Sequence, residues 1–405
     1  MRILVINQYF HPDLASTGQL LTELCEDLSR DHDVHVVCGR PSYDIPAYGE
    51  TDATLSAFQS DRITVRRTWS TSFPRQNMAG RLANYATYMI SSTWGALTAP
   101  KPDVILTMTD PPIVAAVALL TSRVRRVPFV YVCQDIFPDI AVVLGKMKDS
   151  LLRKALAQLN RSLRHHATAV VAIGRDMRDQ LIALGTPADK ISVIPNWADG
   201  SRITPGLGQD FRRRHGWEDR FVVMHSGNVG LSQSLDTLIA AADILRDEQG
   251  IVFAIVGAGA SKAALQRAAA ERGLANVEFL RYQAKGSLSG SLGAADIHVV
   301  GLKKGLTGLI VPSKVYGIMA AGKPFIAATQ DTAEPALIIE EAGCGITAHP
   351  DDPTDLARAI NEARASDLRT MGSAGRKAFE ERFDRPRAAQ AYAALLERVV
   401  RDAHS

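Results

Sequence analysis

Two patterns of apolar and polar positions alternate along the chain. Short, nearly continuous apolar runs are separated by loops of small residues and by stretches whose apolar positions fall three and four apart. The first pattern predicts strands buried on both faces, the second the helices that cover them. Strands are predicted within Met1 to Gln8, at Val34 to Cys38, Ile63 to Trp69, Val104 to Met108 and Phe129 to Cys133, around Val170 and Val171, and at Ile191 to Ile194. After the turn HPDLASTG, Leu20, Leu21, Leu24 and Leu28 share one helical face, and Arg75 to Ala99 and Arg175 to Leu184 read as further helices. Pro, Asn, Asp and Gly then cluster from Pro195 to Gly208, which predicts a linker.

Beyond that linker the pattern restarts. Phe221 to Gly230 and Ile251 to Ala260 each read as a strand running into a small-residue loop and a helix, and strands follow at Val277 to Leu280, Ile297 to Val300, Phe325 to Ala328 and Gly345 to Thr347. Two βαβ successions predict an α/β protein of two Rossmann-like, doubly wound domains, residues 1–200 and 201–385. A chain of 405 residues suits two such cores. The tail is helical from Asp355, Arg385 and Pro386 interrupt it, and the piece 386–405 is expected to pack back on the first domain.

Composition narrows the class. With 46% hydrophobic and 22% charged residues the chain is an ordinary folded protein rather than a disordered or fibrous one. Its four cysteines, Cys25, Cys38, Cys133 and Cys344, lack CxxC spacing, so neither a zinc cage nor a disulfide framework is expected. The N-terminal apolar run is too short for a signal peptide, and no run reaches the roughly twenty apolar residues of a spanning helix, so the expected location is the cytoplasm. Net charge is only +3, but it is uneven. Arg62 to Pro102 carries Arg62, Arg66, Arg67, Arg75, Arg81 and Lys101 with no acid, interleaved with Trp69, Phe73, Tyr85, Tyr88 and Trp94; Lys146 to Arg164 is again basic. Such a face suits an anionic membrane surface, and no nucleic-acid-binding motif accompanies it.

Candidate chemistry concentrates in LIVPSKVYGIMAAGKP, from Leu309 to Pro324. Ser313 reads as the N-cap of a short helix, whose unpartnered N–H groups favour an anion. Lys314 in the first turn opposes the helix dipole, which points to a ligand rather than to helix stability. Gly227 and Asn228 lie in the glycine loop SGNVG, and Gly257 and the backbone near Tyr282 mark loops where a nucleotide base would lie. Asp135 ends a buried strand, where open α/β sheets bind ligands. Ser16, Thr17 and Gly18 form a small-residue loop beyond the first strand. Asp31 and Asp33, the one tight DxD pair, fall at a helix-to-strand turn and read as structural.

The segments NQYFHPD, GRPSYD (Gly39 to Asp44), IPNWAD (Ile194 to Asp199), SGNVG and PSKVYGIMAAGKP together carry a resemblance that spans nearly the whole chain. It is similar to the GT-B glycosyltransferases of family 4, in particular the bacterial surface-glycan subgroup that includes fucosamine transferases. The resemblance implies retaining, metal-independent transfer from a nucleotide-sugar donor, UDP-linked by family expectation, with no other cofactor. The donor would be held by Gly227, Asn228, Gly257, Tyr282, Ser313, Lys314 and Glu334. The acceptor, a glycan on a polyprenyl diphosphate at the inner face of the cell membrane, would be held beside Ser16, Thr17 and Gly18, with Asp135 orienting the reacting groups. The sequence departs from the family where paired glutamates are common, at Leu309 and Gly317, and has Asn228 and Ser234 in place of the usual basic residues. Lys314 and Glu334 are expected to compensate. A UDP-sugar 2-epimerase of the same architecture and a non-catalytic nucleotide-binding partner remain alternatives.

Overall fold

The computed structural model describes residues 1–13, 15–41, 61–71, 73, 78–109 and 111–404. Ser42, Tyr43 and Asp44 of GRPSYD, Leu14 of the first turn, Arg75 and the Arg81 side chain lie outside the described residues. The chain divides into two compact units, one of Met1–Asp139, Lys148–Pro195 and Ala388–Ser405, the other of Ile140–Met147 and Asn196–Arg387.

The first half of the chain runs β1 (Arg2–Ile6), α1 (Ser16–Leu28), β2 (Asp33–Cys38), β3 (Ile63–Arg67), α2 (Met78–Leu97), β4 (Val104–Met108), α3 (Ala115–Arg125), β5 (Phe129–Cys133), α4 (Asp139–Val143), α5 (Leu151–His166), β6 (Ala169–Ala172), α6 (Arg175–Ala183) and β7 (Ile191–Val193). All of these belong to the first unit except α4, which from Ile140 is counted with the second. The strands form one sheet in the order β3-β2-β1-β4-β5-β6-β7, every ladder parallel. All residues of β4 and β5 are buried, as expected of strands covered on both faces. A right-handed crossover fixes which face each helix takes. The chain steps one way along the sheet from β1 to β2 and the other way through β4, β5 and β6, so α1 covers one face and α2, α3 and α5 the other.

The second unit continues with α7 (Gln209–His215), β8 (Phe221–Ser226), α8 (Leu235–Ile244), β9 (Ile251–Val256), α9 (Lys262–Glu271), β10 (Val277–Leu280), α10 (Leu288–Gly293), β11 (Ile297–Gly301), α11 (Lys314–Ala320), β12 (Phe325–Ala328), α12 (Glu334–Ala342) and β13 (Gly345–Ala348). Its sheet order is β10-β9-β8-β11-β12-β13, again all parallel. Strand alternation splits the core into two layers. Val299 packs with Leu238 of α8 and with residues of the next helix, α13 (Pro353–Arg364), while Val300 packs with Ile318 of α11 and Phe379 of α14 (Leu368–Arg382).

The tail thus makes more breaks than its periodicity predicts. α13 ends at Arg364, and Asp367 caps the start of α14 by accepting from the Thr370 amide. The last helix, α15 (Arg385–His404), belongs from Ala388 onward to the first unit and buries Tyr392, Leu395, Leu396 and Val399. His32 Nε2 lies 3.7 Å from a Glu397 carboxylate oxygen, and Arg398 reaches the Ser192 hydroxyl at 3.3 Å. The four cysteines are free and buried. Among the described residues no helix is long and apolar enough to cross a membrane.

Candidate active site

In the second unit β8 lies between β9 and β11. The chain leaves β8 toward β9 and later crosses back to β11, so the loops after β8 and β11 diverge, and such a switch point at the carboxyl edge is where open α/β sheets take ligands. The loop after β8 is laced to the loop after β9 by backbone hydrogen bonds. The Gly227 amide donates to Val256 O at 2.9 Å, Val229 to Ala258 O at 2.9 Å, and Ser261 to Val229 O at 3.0 Å. Contact is so close that a Cβ at Gly257 would sit 1.9 Å from Gly227 O and one at Gly259 would sit 2.3 Å from Val229 O. Glycine is therefore demanded by packing as well as by the positive φ of both residues.

Lys314 opens α11 and turns back over this loop. Its Nζ stands 3.3 Å from Nε2 of His225, and a Cβ built on Gly227 would lie 3.8 Å from Lys314 Cε. Removal from water disfavours the ammonium and brings its pKa from 10.5 down to about 7. His225 is fully buried on β8, and burial, reinforced by the charge of Lys314, holds its pKa well below 6.5. It is neutral at pH 7. The same Nε2 lies 3.3 Å from the Asn228 carbonyl oxygen, so it either accepts from Lys314 or donates to Asn228. His225 thereby links the lysine's proton to the loop's conformation. Neighbouring His298 on β11 contacts the Leu292 carbonyl at 3.0 Å and has its pKa lowered to about 4, chiefly by burial.

Two expectations need correction here. Ser313 does not cap α11: its backbone is helical (φ −65, ψ −14) and its side chain makes no cap hydrogen bond. With seven residues, α11 offers little dipole, so Lys314 is the principal positive group that this segment supplies. In the first unit, Ser16, Thr17 and Gly18 are not a loop but the first turn of α1. Gly18 is backed onto Tyr9, whose backbone carbon would lie 3.4 Å from a Cβ, so its own chain occupies the close approach expected for a ligand.

Tyr282 and Glu334 follow β10 and β12, two strands out from β8 on one side and from β8 through β11 on the other. Tyr282 is partly exposed, whereas Glu334 is buried (2%) in the first turn of α12, where the helix dipole favours a carboxylate. Of the positions where the family has glutamates, Leu309 is buried, and a Cβ at Gly317 would face methyl groups of Leu292 and Ile203 at 3.6 and 3.9 Å. The methyl groups facing Gly317 offer a carboxylate no hydrogen-bond donor. Ser234, in the place of a usual lysine, instead hydrogen-bonds Asp351, which also accepts from the Lys304 amide at 3.0 Å. Asp135 follows β5 in the first unit and is half-buried; the Thr109 hydroxyl accepts from the Gln134 and Asp135 amides at 3.0 and 3.3 Å and ties the ends of β4 and β5. Asp31 and Asp33 are exposed where α1 turns into β2.

The structure thus brings Gly227, Asn228, Gly257 and Lys314 together. It adds His225, a partner the sequence hides inside an apolar strand.

Comparison with known proteins agrees with this geometry. Residues 17–197 match the family model described as glycosyl transferase 4-like domain, and residues 209–378 match glycosyl transferases group 1. The chain is similar to the probable glycosyltransferase WbjE of Pseudomonas aeruginosa, with 27% identity over 98% of this chain and 97% of that one. It is 29% identical to the putative colanic acid biosynthesis glycosyl transferase WcaI of Escherichia coli strain K12, over 90% of this chain and 92% of that one. Among solved structures, Anabaena HepE in complex with UDP and glucose superposes with a TM-score of 0.75 at 20% identity, covering 98% of this chain and 99% of that one.

Proposed function

The chain belongs to the group 1 glycosyltransferases of GT-B fold, and from that premise we propose that it moves a sugar from a UDP-linked donor to a lipid-linked glycan in surface-polysaccharide biosynthesis. The observation that carries the reading is the Lys314 amine, held over the glycine loop at the switch point of the second sheet. WbjE and WcaI are named as glycosyltransferases, the latter of colanic acid biosynthesis, and HepE binds UDP and UDP-glucose; these names support the donor and the pathway class.

Transfer proceeds with retention. The bond from the anomeric carbon to the diphosphate breaks as the acceptor oxygen bonds to the same face of that carbon. The acceptor's proton passes to the departing phosphate oxygen, so no protein nucleophile is required. Charge accumulates on the diphosphate, and the main-chain amides of the glycine loop and the Lys314 ammonium oppose it without a metal ion. A preorganised donor of this kind is typically worth about 3 kcal/mol of barrier. Glu334 and Tyr282 are assigned to the nucleoside and Asp135 to orienting the acceptor hydroxyl.

The test incubates the protein and a polyprenyl-diphosphate-linked glycan with UDP-sugars, one at a time, in the presence of a chelator, and follows the lipid-linked product by mass spectrometry. A product one sugar heavier, with α-linkage from an α-linked donor, is expected. Epimerised nucleotide sugar without acceptor, or transfer only after a divalent ion is restored, would refute it.

A further inference from the structure

One nitrogen atom in the second unit has two partners and can serve only one of them at a time. Nε2 of His225 lies 3.3 Å from Lys314 Nζ and 3.3 Å from the Asn228 carbonyl oxygen. A neutral imidazole carries a single N–H, so Nε2 either donates or accepts. Toward the carbonyl it must donate. Toward an ammonium, which has only donors, it must accept. The ring proton therefore sits on Nε2 in the first arrangement and on Nδ1 in the second. The fold puts this choice at the switch point: the ladder between β8 and β11 ends at the pair Met224 and His298, so the fully buried His225 stands where the two strands part.

His298, the buried histidine of β11, shows what a ring with a fixed role looks like. Its Nε2 meets the Leu292 carbonyl at 3.0 Å, and that acceptor keeps the proton on Nε2. Nδ1 of both rings is buried and makes no hydrogen bond, so the difference lies at Nε2, where His225 has a lysine as well as a carbonyl. Burial and the Lys314 charge keep the His225 ring from taking a second proton, while the main chains of Asn228 and Val299 each favour one. Asn228 serves an Nε2–H; Val299 is left for an Nδ1–H. The charge on Lys314 selects between them, because an amine tolerates an N–H facing it and an ammonium opposes it.

We propose that His225 is a positioning residue that relays the charge of Lys314 to the glycine loop. While Lys314 is an amine, the Nε2–H of His225 donates to the Asn228 carbonyl and holds the loop. When the donor's diphosphate makes Lys314 an ammonium, the Nε2 proton leaves and a proton arrives on Nδ1. Nε2 then accepts from Lys314, and the Asn228 carbonyl is released. The ring stays neutral throughout, so the net change is the one proton that Lys314 takes from water. The inference rests on the donor binding at Lys314 proposed above, but the tautomer is read without any sugar transfer, so the two fail separately.

Nuclear magnetic resonance reads the tautomer directly. Histidine labelled at its ring nitrogens is incorporated into the full-length protein, and long-range proton–nitrogen correlation spectra are recorded above the lowered pKa of Lys314, with and without saturating UDP. Spectra of His225→Gln and His298→Gln assign the two rings. UDP should turn Nε2 of His225 from a protonated into an unprotonated nitrogen, Nδ1 the reverse, and leave the Nε2 proton of His298 in place. Lys314→Arg, a permanent cation, should show the Nδ1–H form of His225 before UDP is added, and Lys314→Met should keep the Nε2–H form throughout. By calorimetry, His225→Leu should weaken UDP binding by about tenfold in the unsubstituted chain and by about twofold or less beside Lys314→Met. His225→Gln, which can donate and accept, should recover most of that loss. Bound UDP with the His225 proton still on Nε2 would overturn the inference and leave the donor site standing. An equal loss in both backgrounds would reduce the ring to a structural prop of the loop. A tautomer that follows Lys314→Arg in a protein that does not bind UDP would keep the relay and refute the donor reading.

Discussion

A lysine whose pKa is about 7 is a poor permanent cation, and this leads to a measurable prediction. At about pH 7.5 only about a quarter of the ligand-free protein carries a charged Lys314. A single negative charge about 4 Å away, at an effective dielectric of about 20, favours the ammonium by about 4 kcal/mol, roughly a thousandfold. Donor binding should therefore restore the proton almost completely, with an uptake of about 0.75 proton per site at about pH 7.5 and about 0.1 at about pH 6. Isothermal titration with a UDP-sugar in buffers of different ionisation enthalpy reads this number from the slope of observed heat against buffer heat. A UDP-sugar is preferred to UDP because its diesterified diphosphate does not itself titrate in this range. His225 and His298 are both near enough to feel the Lys314 charge, and burial lowers the pKa of each, that of His298 to about 4. Lys314→Arg, which is always charged, should bind with no uptake. If uptake at about pH 7.5 is absent, or persists in Lys314→Met, then Lys314 does not carry the charge that meets the diphosphate.

The remaining expectations concern supporting groups. Because the folded state holds fewer protons than the unfolded one between the lowered pKa and 10.5, Lys314 reduces stability most below about pH 7 and progressively less above it. Lys314→Met should accordingly raise the unfolding free energy of ligand-free protein, more at acid than at alkaline pH, by about 2 kcal/mol at most for a half-buried group, while abolishing transfer. Gly257→Ala puts a methyl group into the Gly227 carbonyl and should cost about 3 kcal/mol in urea unfolding and weaken UDP binding at least tenfold; unchanged binding would show that the laced loops do not form the donor site. Thr109→Val leaves the Gln134 and Asp135 amides without their acceptor. It should cost about 1–3 kcal/mol and lower kcat with donor KM unchanged, whereas an effect confined to donor KM would remove Asp135 from the acceptor side.

Much of the fold was legible because parallel strands covered on both faces leave an unambiguous trace. Val104 to Met108 and Phe129 to Cys133 are apolar almost throughout, and the structure begins and ends β4 and β5 at those residues. Lys314 was legible because a lysine opposing a helix dipole lacks a stabilising explanation. Small residues misled: Ser16, Thr17 and Gly18 fit a loop as well as a helical turn, and only the packing of Gly18 on Tyr9 decides between them. Ser313 has the right chemistry for a cap, but its backbone is already helical. His225 could not be found from sequence, since the partner that gives it meaning is 89 residues away in the chain. The basic run after Lys146 shows only its charge in the sequence, because the arginines of α5 obscure the apolar spacing beneath them.

The route of α15 has a consequence for biosynthesis. The first unit is completed only by residues from Ala388 on, although its preceding strand ends at Val193. At about 5–20 residues per second, a ribosome takes about ten to forty seconds between those points. During that interval the surface that will bury Tyr392, Leu395 and Leu396 stands open to chaperones or to another nascent chain. Truncation at the linker would make that state permanent; fusing Ala388 to Ser405 behind residue 195, or circularly permuting the chain, is the route to an isolated N-terminal unit.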